Sequence, residues 1–282
     1  MTTDTPTHAA VTKTHQAPTE IAPDTFVIHD HAGEGHDPVM VPINSMVIRG
    51  AEPVVVDTGF ADNQEQFLSD VFGLVEPEDI RWLFISHDDV DHTGNVNALM
   101  EAAPNATLVI NWFMVERMGA SLEVAPHRTR WVGDGESFPA GDRELVAVRP
   151  PVFDSPTTRG LFDPTTGVYW ASDSFASPMV ELVTAADQLD LDAWRDGMAM
   201  FHQYVSPWFA MLDDAKYQRS VDRVEALGAR TLAGCHAPTV HGGLVPAAFE
   251  GIRTFARAVV PEMPGQDVLE QIIASMTADV AA

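Results

Sequence analysis

The sequence predicts a single α/β domain, and three observations carry that prediction. The chain has 282 residues, 45% of them hydrophobic, which is enough for one substantial core. Short runs of β-branched and aromatic residues alternate with segments of helical periodicity. No shift in composition divides residues 22–282, whereas residues 1–21 are dominated by Thr, Ala, Pro and His without periodic apolar positions and read as a flexible tail.

From Thr25 the pattern is a strand meander: Phe26-Val27-Ile28, then Asn44 to Arg49, then Pro53 to Val56, with Gly-containing turns between them. Phe67, Val71 and Leu74 fall at helical spacing, so Gln64 to Val75 is expected to be an amphipathic helix. Arg81 to Ser86 is a compact apolar strand that leads into His87. Asn95 to Ala103 then reads as helix and Ala106 to Asn111 as strand. Trp131 to Phe175 is rich in strand formers, with Asp163 to Gly167 as a hairpin connection and Val168 to Ala171 as the returning strand. Asp192 to Leu227 is expected to be helical with a break at Ser206-Pro207, because proline cannot continue a helix it interrupts. Thr231 to Cys235 makes a last strand that delivers His236, and Pro246 to Val260 a last helix.

Charge narrows the function classes. Acidic residues outnumber basic ones by 41 to 16, a formal net charge of −25, so the field repels nucleic acid and anionic lipid surfaces. There is no apolar run long enough to span a membrane and no signal-peptide pattern at the N-terminus, which sets a cytoplasmic protein as the expectation. The one cysteine, Cys235, rules out a disulfide framework and cysteine-rich metal sites within the chain, so any metal must be held by His and carboxylates. Cys235 itself reads as a small buried residue beside a metal site, in contact with its ligands.

The chemical signal is the segment His87-Asp88-Asp89-Val90-Asp91-His92. It places His87, Asp89, Asp91 and His92 on one loop after a strand, and such clustering is costly without a cation to neutralise it. Alternate side chains can turn toward one point and the adjacent Asp91 and His92 toward a second, so the spacing suits two neighbouring metal ions. Asp88 and His127 read as turn or surface residues, His202 as a hydrogen-bonded buried histidine, and Trp112, Trp170 and Trp208 as core. His29, His31 and His36 lie in a Gly-containing segment that could cover the site, with His36 as a candidate substrate contact. His241 is a candidate for a hydrogen bond that orients a ligand.

This segment resembles the HxHxDH signature of metallo-β-lactamase-fold proteins, and Asp57-Thr58-Gly59 upstream is similar to the same family. Asp89 departs from the pattern of its zinc hydrolases and is instead similar to the HxExDH pattern of the flavodiiron proteins and their stand-alone oxygen-binding diiron relatives. The resemblance implies an αβ/βα sandwich of two mixed sheets flanked by helices. It further implies that Asp173, followed two residues later by Phe175, bridges two metals, and that His236 supplies the last ligand. An ungapped count back from Asp163-Pro164 puts Asp154 where the family has a histidine. On that comparison His87, Asp89, Asp154 and Asp173 surround one metal, and Asp91, His92, His236 and the shared Asp173 the other, with Asp57 in contact with the ligands.

Carboxylate-rich donor sets suit iron or manganese better than zinc, so iron is the expected metal, with manganese and zinc as alternatives. The function implied is binding or reduction of dioxygen or nitric oxide, with a separate electron donor and a homodimer as implied partners. Two other classes stay open: a dinuclear hydrolase of an ester, thioester, lactone or phosphoester, and a non-catalytic sensor.

Overall fold

The structure, a computed structural model, describes residues 14–34, 39–257 and 259–279. In chain order, β1 (Thr19–Ala22) and β2 (Thr25–Ile28) form a hairpin, while β3 (His31–Ala32) and β4 (Val41–Pro42) form a small separate ladder. β5 (Ser45–Ile48) and β6 (Val54–Val56) continue the first sheet, and α1 (Gln64–Leu74) crosses to β7 (Trp82–Phe84). After the short α2 (Val90–Thr93), α3 (Val96–Ala102) leads to β8 (Thr107–Ile110) and α4 (Trp112–Met118) to β9 (Thr129–Trp131). The sheet order is β1-β2-β5-β6-β7-β8-β9, antiparallel up to β6 and parallel beyond it.

The second sheet comprises β10 (Ser137–Ala140), β11 (Arg143–Val148), β12 (Gly160–Asp163), β13 (Val168–Trp170), β14 (Thr231–Ala233) and β15 (Val240–His241), in that order. Its pairings are antiparallel except β13 with β14, whose connection carries α5 (Leu191–Val205) and α6 (Asp214–Glu225). α7 (Leu244–Arg253) and α8 (Gln266–Asp279) follow. Both sheets are therefore mixed, as expected.

Two-residue alternation explains the layering. On β6, Val54 and Val56 face the space between the sheets and Val55 the outer helices; on β13, Val168 and Trp170 face inward and Tyr169 outward. One core, including Phe84, Phe138, Leu161 and Trp170, fills the gap between the sheets. A second packs Phe67, Val71, Leu99 and Met100 against the first sheet, and a third packs Trp194, Met198, Val221 and Phe249 against the second. The result is helix, sheet, sheet, helix.

The observed elements correct the sequence reading in three places. The expected tail does not extend to residue 21, because Thr19–Ala22 pairs with β2 and Ile21 and Ala22 pack against the inter-sheet core. The helix expected over 246–260 starts at Leu244 and stops at Arg253, and α8 follows it. Trp112 is not core: it is 54% exposed at the start of α4.

Phe84 is fully buried between the sheets, so Phe84→Ala is expected to lower unfolding free energy by about 3–5 kcal/mol. Val90→Ala, at an exposed position, should change it by less than about 0.5 kcal/mol. Denaturant unfolding of the two variants checks both values.

Candidate metal centre

β7 ends at Phe84, and the chain then turns into the acidic loop. Asp57, at the end of β6, catches that turn: its Oδ1 accepts the Ser86 backbone N–H at 2.7 Å, and its own N–H donates to Phe84 O at 2.9 Å. Thr58 closes the other end, donating to the His92 carbonyl from its N–H at 2.8 Å and its Oγ at 2.9 Å. Gly94 makes this approach feasible, since a Cβ there would lie 2.3 Å from Ala61 N and 2.5 Å from Gly59 O. Asp57 has φ 58°, and Ser172 and Phe175, on either side of Asp173, have φ 54° and 68°. Left-handed backbone at non-glycine residues thus concentrates in the segments that deliver the acidic groups.

Four segments converge: the acidic loop and those bearing Asp154, Asp173 and His236. The donor atoms of His87, Asp89 and Asp154 lie within 4.8 Å of one another, as do those of Asp91, His92 and His236. Asp173 lies between the groups, with Oδ2 3.4 Å from His87 Nε2 and Oδ1 3.5 Å from His236 Nε2 and 3.9 Å from His92 Nε2. Asp91 Oδ2 is 3.3 Å from His92 Nε2 and 3.4 Å from His236 Nε2. These separations are too long for good N–H···O hydrogen bonds. They are close to the roughly 2.8–3.6 Å expected of donors each about 2.0–2.2 Å from a shared cation.

Partners of the ring nitrogens support the same reading. His236 Nδ1 lies 2.7 Å from Pro42 O, a carbonyl that only an N–H can satisfy, so Nε2 carries the lone pair toward Asp91 and Asp173. His87 Nδ1 faces Ser86 Oγ at 3.0 Å and Ser172 Oγ at 3.2 Å, so these hydroxyls orient the ring with Nε2 toward Asp173. His87 Nε2, both His92 ring nitrogens and Asp173 Oδ1 are buried without a hydrogen-bond partner among the described residues. Orphaned buried atoms of this kind are costly. In a mixed imidazole and carboxylate set, they fit a pair of cations.

Electrostatics agree. Burial opposes protonation of His87, but Asp173, Asp154 and Asp89 outweigh it and push its pKa up to about 9. Burial also raises the carboxyls of Asp89 and Asp154, which share a hydrogen bond. The excess negative charge calls for cations. His92 is pushed well below its ordinary range by burial and by the neighbouring His87 and His236 rings.

Comparison with known proteins agrees with this geometry. Residues 41–237, more than two thirds of the chain, match the family described as ODP family beta lactamase. The chain belongs to that family. It is 28% identical over 209 residues to putative diflavin flavoprotein A 1 of Nostoc sp., covering 69% of this chain and 33% of that protein. It is 22% identical over 193 residues to the nitric oxide reductase of Moorella thermoacetica, covering 68% and 48%. Among solved structures, the flavodiiron protein from Giardia intestinalis superposes with TM-score 0.74 at 16% identity, covering 87% of this chain and 61% of that one. A fragment, residues 1–254, of putative diflavin flavoprotein A 5 from Nostoc sp. gives TM-score 0.71 at 16% identity, covering 86% and 96%. The chain spans about a quarter to a half of the length of the curated relatives it matches.

In this ODP-family chain the structure also places residues that sequence reasoning missed. Asn44 Nδ2 donates to Gly234 O at 3.0 Å and Ala237 O at 2.9 Å, clamping the turn that carries His236. Asp88, read as a surface or turn residue, accepts from Thr157, Ser155 and Arg117 and ties the acidic loop to the segment bearing Asp154. Neither had a spacing signal, because their partners are remote in sequence. His241 is exposed on β15 and its ring meets Thr231 at 3.1 Å, not a candidate ligand, so the orienting role expected of it is not seen. His202, expected to be hydrogen-bonded, is buried with neither ring nitrogen partnered among the described residues. His36 lies outside the described residues. Cys235 is fully buried and its thiol donates to Asp57 Oδ2 at 3.3 Å. No helix among the described residues is long and apolar enough to cross a membrane.

Two outcomes follow from these contacts. Asp57→Asn should lower stability by about 1–3 kcal/mol, because an amide N–H₂ facing Trp170 Nε1–H leaves buried donors unpaired; thermal unfolding with metal counting checks it. Metal uptake must displace the proton that His87 holds below pH 9. Apparent affinity should therefore rise by about tenfold per pH unit from pH 6 toward 9 and flatten above it. Chelator competition across that range measures the slope, and a flat profile contradicts the assignment.

Proposed function

We propose that this chain holds two iron ions and binds or reduces dioxygen or nitric oxide. The observation that carries the reading is the pair of donor groups, His87/Asp89/Asp154 and Asp91/His92/His236, with Asp173 between them. Four of these seven side chains are carboxylates, a set that favours iron or manganese over zinc. Bound iron would supply the gas-binding and electron-transfer chemistry. The names of relatives, a nitric oxide reductase and an anaerobic nitric oxide reductase flavorubredoxin of Vibrio vulnificus, support the same class of reaction.

The chain's own residues provide geometry. Asp173, 4% exposed, presents one carboxylate oxygen toward each donor group and so sets the distance between them. Pro42 O fixes the His236 tautomer, and the Ser86 and Ser172 hydroxyls hold the His87 ring in orientation. The Phe201 ring packs 5.6 Å from the His236 ring. Reduction requires electrons from outside the site, so a separate electron donor belongs to the proposal, as do a homodimer and a cytoplasmic location. A dinuclear hydrolase is less well supported, because the extra charge of Asp89 and Asp154 weakens the Lewis acidity of the ion beside His87.

Anaerobic reconstitution with ferrous iron is expected to load two metals per chain and give optical spectra that change on exposure to dioxygen and to nitric oxide. One metal or fewer, or zinc- or manganese-dependent cleavage across an ester and thioester panel without any gas response, overturns the reading. Asp91→Ala, His92→Ala and His236→Ala should each remove one of the two metals while Asp154→Ala affects the other; elemental analysis of the purified variants checks this.

A further inference from the structure

A cleft of about 320 Å³ is lined by none of the seven candidate metal ligands. Its walls are Trp112, Phe113 and Trp131, exposed by 54%, 40% and 58%. Such large aromatic surface is unusual to leave in water at three adjoining positions. Its polar lining includes Arg149 and Arg159. These are notable in a chain of net charge −25 that has only 16 basic residues.

Arg159 is the anomaly. It is 8% exposed, its Nε is buried without a partner, and its Nη1 donates only to the carbonyls of Thr158 at 2.7 Å and Pro156 at 3.4 Å. A guanidinium so buried is costly unless an anion neutralises it. Burial already holds Arg159 below its usual range, and the Arg149 charge adds to that effect. Two carboxylates lie nearby: Asp134 pairs with Arg223 at 2.8 Å, and Glu136, which also lines the cleft, accepts the Gly133 N–H at 2.7 Å. Arg149 donates to Pro156 O at 3.3 Å and lies over the Phe153 ring.

We propose that this cleft binds a mononucleotide, with the base stacked on Trp112 and Trp131 and the phosphate held by Arg149 and Arg159. A planar ring satisfies the exposed tryptophans, since stacking on an aromatic side chain is worth about 1–3 kcal/mol per base. A phosphate matches the fork of donors that arginine presents. The site is coupled to the metal loop by the chain itself: Arg159 N–H donates to Ser86 O at 2.8 Å, and Asn111, which lines the cleft, donates to Thr157 O, whose side chain holds Asp88.

Titration of the metal-loaded protein with AMP, read by tryptophan quenching and calorimetry, is expected to show saturable binding to one site. Arg149→Gln and Trp131→Ala, at a half-buried and an exposed position, should each weaken it by about tenfold or more while metal content and unfolding temperature stay unchanged. Adenosine should bind about tenfold more weakly than AMP, and inorganic phosphate more weakly still. The proposal is overturned if AMP does not saturate, if both variants bind it as the parent does, or if adenosine or phosphate alone matches AMP. Binding that survives both substitutions but is lost in His236→Ala assigns the phosphate to the metal centre and overturns it too. A fall in molecular mass on Trp131→Ala, without AMP binding in the parent, identifies the aromatic wall as a contact between copies and likewise overturns it.

Discussion

The buried carboxylate of Asp57 links the two sheets at segments that lead to the candidate ligands. Its Oδ1 accepts the Ser86 backbone N–H, while Oδ2 accepts Trp170 Nε1–H at 2.9 Å and the Cys235 thiol at 3.3 Å. Ser86 precedes His87, Trp170 lies three residues before Asp173, and Cys235 precedes His236. One side chain therefore registers three of the four donor-bearing segments, two of them on the opposite sheet. Burial raises the Asp57 pKa despite the Ser86 N–H. That cost is tolerable because each lone pair facing a segment is used.

The same logic explains why the centre sits at the ends of strands. β6, β7, β13 and β14 stop within a few residues of one another at one edge of the sandwich, and their loops carry Asp57, the acidic loop, Asp173 and His236. A rigid pair of sheets fixes where the loops start, and side-chain hydrogen bonds from Asn44, Thr58 and Asp88 fix where they go. Donors mounted this way can remain close together although their charges repel. The cation set that relieves that repulsion is then part of the folded state's energetics as well as its chemistry.

The Asp154 carboxylate and the arginine-lined cleft share one segment. Thr158 Oγ lies 3.5 Å from Asp154 Oδ1, and the next residue, Arg159, lines the cleft. Asp154 on one side of that segment and Arg159 on the other are separated by four residues of chain.

The sequence by itself determined the α/β class, most strands and helices, and the acidic loop, because these depend on periodicities and spacings within about ten residues. His87, Asp89, Asp91 and His92 were legible for that reason, and Asp154, Asp173 and His236 became so only through resemblance to a family. Tertiary structure alone decided the rest. Thr19–Ala22 is a strand because β2 offers an edge, not because four residues carry a periodic signal. Asn44 and Asp88 matter through partners up to 193 and 69 residues away. His241 points to Thr231 because the short β15 ladder turns it outward, and Trp112 meets solvent because α4 buries Met114 instead. Contacts between remote segments depend on how two sheets stack, and no local pattern encodes that.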